Sequence, residues 1–115
     1  MKASFGSVKL FGRKYEEDII LHVDRTITKR KKKKSKEFKS IYGHTPLSEK
    51  ELDFLEEEKP EVVYVGIGYE SALPITADAQ KILDKFKTFV MPTPDIIEKI
   101  VHEKREAVAI IHVTC

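Results

Sequence analysis

The stretch Glu61–Tyr69, EVVYVGIGY, decides how the rest of the chain is read. It is an unbroken apolar run that ends in two glycines and leads towards a helix start. Val62–Val65 offers apolar residues to both strand faces, which predicts a strand covered on both sides, as in a parallel sheet flanked by helices. Two further runs, Thr88–Met91 and Ala107–Val113 (AVAIIHV), repeat the pattern. The expected core is therefore three buried strands near 62–67, 88–91 and 107–113.

Helical signals separate these strands. Thr76 is placed to cap a helix whose Ala79, Ile82, Leu83 and Phe86 recur at i, i+3, i+4 and i+7, a single apolar stripe. Thr93 is read as the cap of the next helix, with Pro94 at its first position, where the missing N–H costs nothing. Ile96, Ile97, Ile100 and Val101 would form its inner face. Upstream, Ser48 and Glu51 have the spacing of a capping box, with Leu47 and Leu52 as the hydrophobic staple. Lys59-Pro60 ends that helix.

The N-terminal third reads differently. Ser4–Lys34 predicts an antiparallel β meander, with DIILHV (18–23) joined to TITK (26–29) by the two-residue link Asp24-Arg25. Arg25 stands where Gly would best supply a positive φ. The tract Lys29–Lys36 extends the second strand or opens a loop, and Phe38–Pro46, with Gly43 and Pro46, is irregular. The order is β–β–β–α–β–α–β–α–β: one α/β domain over residues 1–115, a mixed sheet with a parallel core and an N-terminal meander. Helical crossovers make the last three strands parallel. Their carboxyl ends then form an edge of the kind at which open α/β sheets bind ligands. Gly66, Gly68, Tyr69, Glu70, Pro92, Thr93, His112 and Thr114 fall at that edge and are the expected cleft for a ligand or partner.

Composition bounds the classes. The 115 residues carry 21 Lys and Arg against 19 Asp and Glu, and 35% are charged, above the usual quarter. There is no Asn, one Gln and one Cys, a mix that resembles thermophile composition. A lone Cys115 excludes an internal disulfide. No apolar run approaches the roughly 20 residues that span a bilayer, and the polar N-terminus lacks the apolar centre of a signal peptide. A cytoplasmic protein is expected. Charge is uneven: Lys29–Lys39 carries eight basic residues against Glu37, and Ser48–Glu61 seven acidic against two basic.

Four groups of residues invite chemistry. Gly66-Ile67-Gly68 resembles the start of a dinucleotide fingerprint, but Ser71 replaces the third glycine and Leu73-Pro74 parts the turn from its helix. A tight turn needing positive φ accounts for it as well. Lys29, Arg30, Lys31, Lys32, Lys33, Lys34 and Lys36 form a basic surface that could neutralise phosphates. That tract has no aromatic platform for bases, and docking on the acidic Ser48–Glu58 segment, of a partner or of this chain, competes. His112 and Cys115 are the catalytic candidates, as base and nucleophile, although a terminal carboxylate opposes thiolate formation. His112 in an apolar strand also reads as a hydrogen-bonded core residue. No metal set is expected, since the spacing lacks a second zinc-like pair, and His22 with Asp24 reads as structural. No cofactor is expected.

VVYVGIGYESALPITADAQKIL, MPTPDIIEKI and the ending AVAIIHVTC, in that order and spacing, resemble the Mth-type domain family, and FGRKYEEDIILHVDRTITKRKKK also fits. The resemblance covers nearly the whole chain. It implies a three-layer α/β fold with an extra β layer, and a function largely unassigned. Family members include an adipogenesis-associated mammalian protein and a mitochondrial assembly factor for respiratory complex I. Arg25 and Ser71 depart from the family pattern, each standing where Gly is common. A presequence for mitochondria is not evident in the chain.

These readings converge on a non-enzymatic binding or assembly module working through the strand-end cleft, its partner another protein or a second copy of itself. The alternatives are a small-molecule or nucleotide-binding enzyme in the same cleft with His112 as base, and nucleic-acid binding through residues 29–36.

Overall fold

The computed structural model describes residues 3–114. Eight strands and four short helices follow in chain order: β1 (Ala3–Ser4), β2 (Ser7–Leu10), β3 (Arg13–Tyr15), β4 (Ile19–Leu21), β5 (Ile27–Lys29), α1 (Lys39–Tyr42), α2 (Phe54–Glu58), β6 (Val62–Gly66), α3 (Ala77–Leu83), β7 (Lys87–Met91), α4 (Thr93–Ile100) and β8 (Ala107–Ile111). The central sheet has the order β5-β4-β8-β6-β7. β6 pairs in parallel with both β7 and β8, so the parallel core is as the sequence predicts. β4 runs antiparallel to β8 and to β5.

Strand alternation sorts the core into two layers, because successive side chains point to opposite faces. Ile19, Leu21, Val62, Tyr64, Ala109 and Ile111 pack against Ile96, Ile97 and Ile100 of α4 and against Val8 and Leu10 of β2. Ile20, Val63, Val65, Val108 and Ile110 pack against Leu55, Ala79 and Leu83 of α2 and α3, and against Leu47, Leu52 and Leu73. The layers are thus helices, central sheet, and a mixed cover of α4 with a small second sheet.

Several local expectations are corrected. The meander is not one sheet: β1, β2 and β3 form a separate three-stranded sheet, while β4 and β5 join the parallel core. Asp18, Glu17 and Glu16 interrupt the apolar pattern between the two, so pairing does not continue through them. The β4–β5 link is longer than two residues. His22 and Thr26 still pair across it (2.8 Å) and Arg25 takes φ 74°, a turn closed by a left-handed residue. Ser71 also has positive φ, 55°. Both positions where Gly would be expected therefore adopt the conformation that favours Gly.

The basic tract neither extends β5 nor stays a loop; Lys32–Phe38 is a 3-10 helix leading into α1, which interrupts the expected irregular stretch and is closed by Gly43 at φ 76°. The capping box is half realised. Ser48 caps a 3-10 turn, Glu49–Glu51, by accepting from Lys50 N–H, but Glu51 does not reach back. The Ser48 N–H is instead met by the Ser35 hydroxyl at 3.3 Å, and Glu51 turns inward. α3 ends at Leu83, short of Phe86, and Thr76 caps it as expected, accepting from Ala79 N–H at 3.1 Å. Among the described residues no helix is long and apolar enough to cross a membrane.

Candidate functional site

The sheet topology gathers the site. β8 ends at Ile111, opposite Ile19, the first residue of β4, which in turn faces Lys29, the last of β5. The residues just beyond these ends, His112, Asp18 and Arg30, therefore meet at the carboxyl edge of the parallel strands. In the sequence His112 and Arg30 are each ambiguous alone and Asp18 does not stand out; together they form a buried polar network.

Arg30 is its centre. Its guanidinium donates Nε to Glu51 Oε1 (2.8 Å), Nη2 to Glu51 Oε2 (2.9 Å) and to the Pro46 carbonyl (2.9 Å), and Nη1 to Asp18 Oδ2 (2.9 Å). Burial alone would lower the Arg30 pKa; the bonds and charges of Glu51 and Asp18 outweigh it and raise it. The Ser35 hydroxyl donates to Glu51 Oε2 (2.5 Å) and stands 2.6 Å from the Ser48 hydroxyl, which fastens the 3-10 turn of the basic tract to the acidic segment. Desolvating these charges is costly, and fixed geometry with full hydrogen bonding is what offsets it.

Asp18 links that cluster to His112. Its Oδ1 accepts from Val113 N–H (2.9 Å) and its Oδ2 lies 2.7 Å from His112 Nδ1, with Lys32 Nζ at 3.8 Å. Burial would raise the Asp18 carboxyl, but the His112 bond and charge, the Val113 amide and Arg30 hold it at about 2. An ionised carboxylate only accepts, so Nδ1 must carry the imidazole proton. Nε2 is left to accept, and the Thr114 hydroxyl lies 3.2 Å from it. His112 thus unites the two readings made of it: it is hydrogen-bonded at one edge and half-open at the other.

That open edge faces a pocket of about 310 Å³, lined by Arg30, Lys32, Lys39, Gly43, His44, Thr45, Ala72, Leu73, His112 and Thr114. A wider one of about 660 Å³ adjoins it, sharing Arg30, Lys32 and Thr114 and adding Lys29, Lys31, Lys33 and Lys34 on one side and Glu16, Glu17 and Asp18 on the other. Arg30 is more than offset by its two carboxylates, and Lys32 lies 3.8 Å from one of them, so the positive field in the smaller pocket comes from Lys32 and Lys39.

The other expected cleft residues are placed differently. Thr93 does not cap α4; it is fully buried, its hydroxyl donating to the His112 carbonyl (2.6 Å) and accepting from Gly68 N–H (2.9 Å). A buried hydroxyl with both partners in reach has no call to leave them for a helix end that Pro94 already tolerates. A Cβ on Gly66 would come 2.9 Å from Thr93 Oγ1. The amides of the glycine turn are also engaged, Ile67 to Met91, Gly68 to Thr93 and Tyr69 to Thr114. That spends the donors a phosphate cradle would need. Tyr69 Oη donates to the Ser7 carbonyl (2.7 Å) and its ring packs near Phe5. Pro92 is half-buried and Glu70 exposed. So the structure brings His112 and Thr114 together with Arg30 and Lys32, and sets Gly66, Gly68, Pro92 and Thr93 behind them.

The basic surface is split in the same way. Arg30 is internal, Lys29 pairs with Glu17 (2.9 Å), Lys50 pairs with Glu37, and Lys36 is exposed. Lys31, Lys33 and Lys34 have no ion-pair partner among the described residues. His22 is held by Glu58 (2.7 Å) and Thr28 (2.7 Å), and Asp24 accepts from Thr26 N–H. Cys115 lies outside the described residues. His44, Lys39 and Asp18 escaped the sequence reading. The available signals were Asp18 directly before an apolar run and one Arg within a run of lysines, the side chain best suited to a buried bidentate pair.

The same architecture occurs in solved proteins. MT938 superposes with a TM-score of 0.80 at 36% identity, the match covering 100% of this chain and 96% of that one. The chain belongs to the family of MT938. The conserved hypothetical protein PH1505 from Pyrococcus horikoshii OT3 superposes with a TM-score of 0.85 at 27% identity, covering 100% of this chain and 98% of that one. No family model and no curated protein matches the chain. This is a small α/β protein whose structural neighbour from Pyrococcus horikoshii is described as a conserved hypothetical protein, and its charge-rich composition is of thermophile type.

Proposed function

We propose that the protein is a cytoplasmic binding module of the Mth-type family whose ligand is a small molecule bearing a phosphate or carboxylate. The observation that carries this reading is the lining of the 310 Å³ pocket: Lys32, Lys39, His44 and His112 converge on it and no carboxylate is among its lining residues. The size is at the lower end of small-ligand sites, usually about 300–1,000 Å³. Behind the lysines, the neutralised Arg30 cluster holds His112 in one orientation, so the polar wall is preformed and little ordering opposes binding.

Thermal melting tests it, with phosphate, succinate and a panel of phosphorylated metabolites compared against chloride at equal ionic strength. Selective stabilisation that is lost in Lys39→Ala supports the pocket; equal response to every anion, or to none, removes it.

A second reading, a protein partner, is favoured by α1 at the pocket rim, where Ile41 is 75% exposed beside an exposed Tyr42. Recovery of one discrete partner by wild type and not by Ile41→Glu would favour that reading; the same proteins recovered by both would not.

A further inference from the structure

We propose that Thr114, His112 and Asp18 form a hydroxyl–imidazole–carboxylate relay that transfers an acyl group from an anionic ester to water, with Thr114 Oγ1 as the nucleophile. The substrate class rests on the anion-binding reading above; the relay rests on separate geometry. Asp18 Oδ2 to His112 Nδ1 is 2.7 Å, and His112 Nε2 to Thr114 Oγ1 is 3.2 Å. This is the order in which an acceptor-only carboxylate fixes a tautomer and leaves the far nitrogen to take a proton. The Val113 amide and Arg30 hold Asp18 from its other sides. Thr114 is exposed and lines both pockets with Lys32, whose ammonium lies 3.8 Å from Asp18 Oδ2 and adds positive charge to the same pockets.

The step balances without a co-reactant other than water. Thr114 Oγ1 bonds to the ester carbonyl carbon as its proton passes to His112 Nε2. The carbon–alkoxy bond then breaks, and the alcohol leaves with that proton. Water attacks the acyl-threonine and gives a proton to Nε2. The acid departs, and the proton returns to Thr114.

The chain holds an internal comparison. Thr28, His22 and Glu58 repeat the atom order, at 2.7 and 2.7 Å, beside a smaller pocket of about 180 Å³. Lys29, Lys31 and Lys34 line that pocket together with Glu51 and Asp53, so its charge does not set it apart, but its volume falls below the roughly 300–1,000 Å³ of small-ligand sites. Acylation is expected at Thr114 and not at Thr28.

The test uses the full chain carrying Cys115→Ser, which removes the adjacent thiol as a competing acyl acceptor. It compares 4-nitrophenyl hemisuccinate with neutral 4-nitrophenyl acetate, and peptide mass mapping locates the acyl group. The expected result is a nitrophenol burst, faster for the hemisuccinate, with the succinyl group on Thr114. It should be abolished in Thr114→Val, retained in Thr114→Ser, and slowed about 100-fold or more in His112→Gln. Acylation at Thr28 or at lysines, or an unchanged burst in Thr114→Val, overturns the relay. Succinate melting shifts, read in parallel, separate the two ideas. Stabilisation by succinate without acylation sinks the relay and leaves the binding reading standing. Acylation of Thr114 that is indifferent to substrate charge sinks the anionic substrate class.

Discussion

Arg30 and Glu51 face each other through two parallel hydrogen bonds, Nε to Oε1 at 2.8 Å and Nη2 to Oε2 at 2.9 Å, with both side chains at most 2% exposed. The pair joins the basic tract to the acidic segment of the same chain. Replacing Glu51 by Leu leaves Arg30 with one carboxylate in a buried setting, and breaking such a pair costs about 3–5 kcal/mol. Chemical denaturation of Glu51→Leu should show a loss of that size. Arg30→Lys should also be destabilised, because an ammonium cannot serve Glu51 in two parallel bonds.

Asp18 links folding to pH. Its carboxyl is held at about 2, below the ordinary 3.8, so its contribution is fully present above the unfolded value and is lost as pH falls through the folded one. Wild type should lose stability between about pH 4 and pH 2 more steeply than Asp18→Asn, which is less stable at neutral pH but flatter across that window. Denaturation midpoints at several pH values measure both slopes; parallel curves would refute the assignment.

Thr93 and Gly66 are a matched pair. Thr93→Val removes a hydroxyl that serves Gly68 N–H and the His112 carbonyl, leaving buried groups unmet at about 1–3 kcal/mol each. Thr93→Ser keeps the hydroxyl and should lose much less. Gly66→Ala drives a methyl to within 2.9 Å of Thr93 Oγ1 and should cost about 1–3 kcal/mol, the usual range for overpacking. Thermal melts of the three variants give the order directly.

Arg25 sits at φ 74° on the surface, where a side chain is strained by about 1–2 kcal/mol. It gives back only an exposed bond to the Glu103 carbonyl at 3.3 Å and a contact over Phe11. Arg25→Gly should therefore raise the melting temperature or leave it unchanged, and a clear fall would mean that the Phe11 contact outweighs the strain.

What was legible in the chain followed the range of each signal. Glu61–Tyr69 and Ala107–Val113 read correctly because burial on both faces is written in consecutive residues; Thr88–Met91 is parallel as expected but falls on β7, the edge strand, which is half-exposed rather than buried. Thr76 reads correctly as a cap because its partner, Ala79, is three residues away. Glu51 reads wrongly for the same reason: the local pattern offers Ser48, but Arg30, 21 residues earlier, holds the stronger claim. Arg30 is indistinguishable by charge from the lysines around it, and only the pairing of β5 with β4 and β4 with β8 turns it inward. On the proposed account the working side of the strand-end edge lies towards β4 and β5 rather than β7, since Thr93 fills the space beside Gly66.

Native mass spectrometry of the purified protein, repeated after denaturation, tests the anion pocket most directly. Wild type is expected to carry, or to acquire from added phosphate or succinate, an anionic adduct released on denaturation, and Lys32→Ala/Lys39→Ala is expected to lose it. An apo mass unchanged by every anion offered, or an adduct held equally by the double variant, would contradict the account.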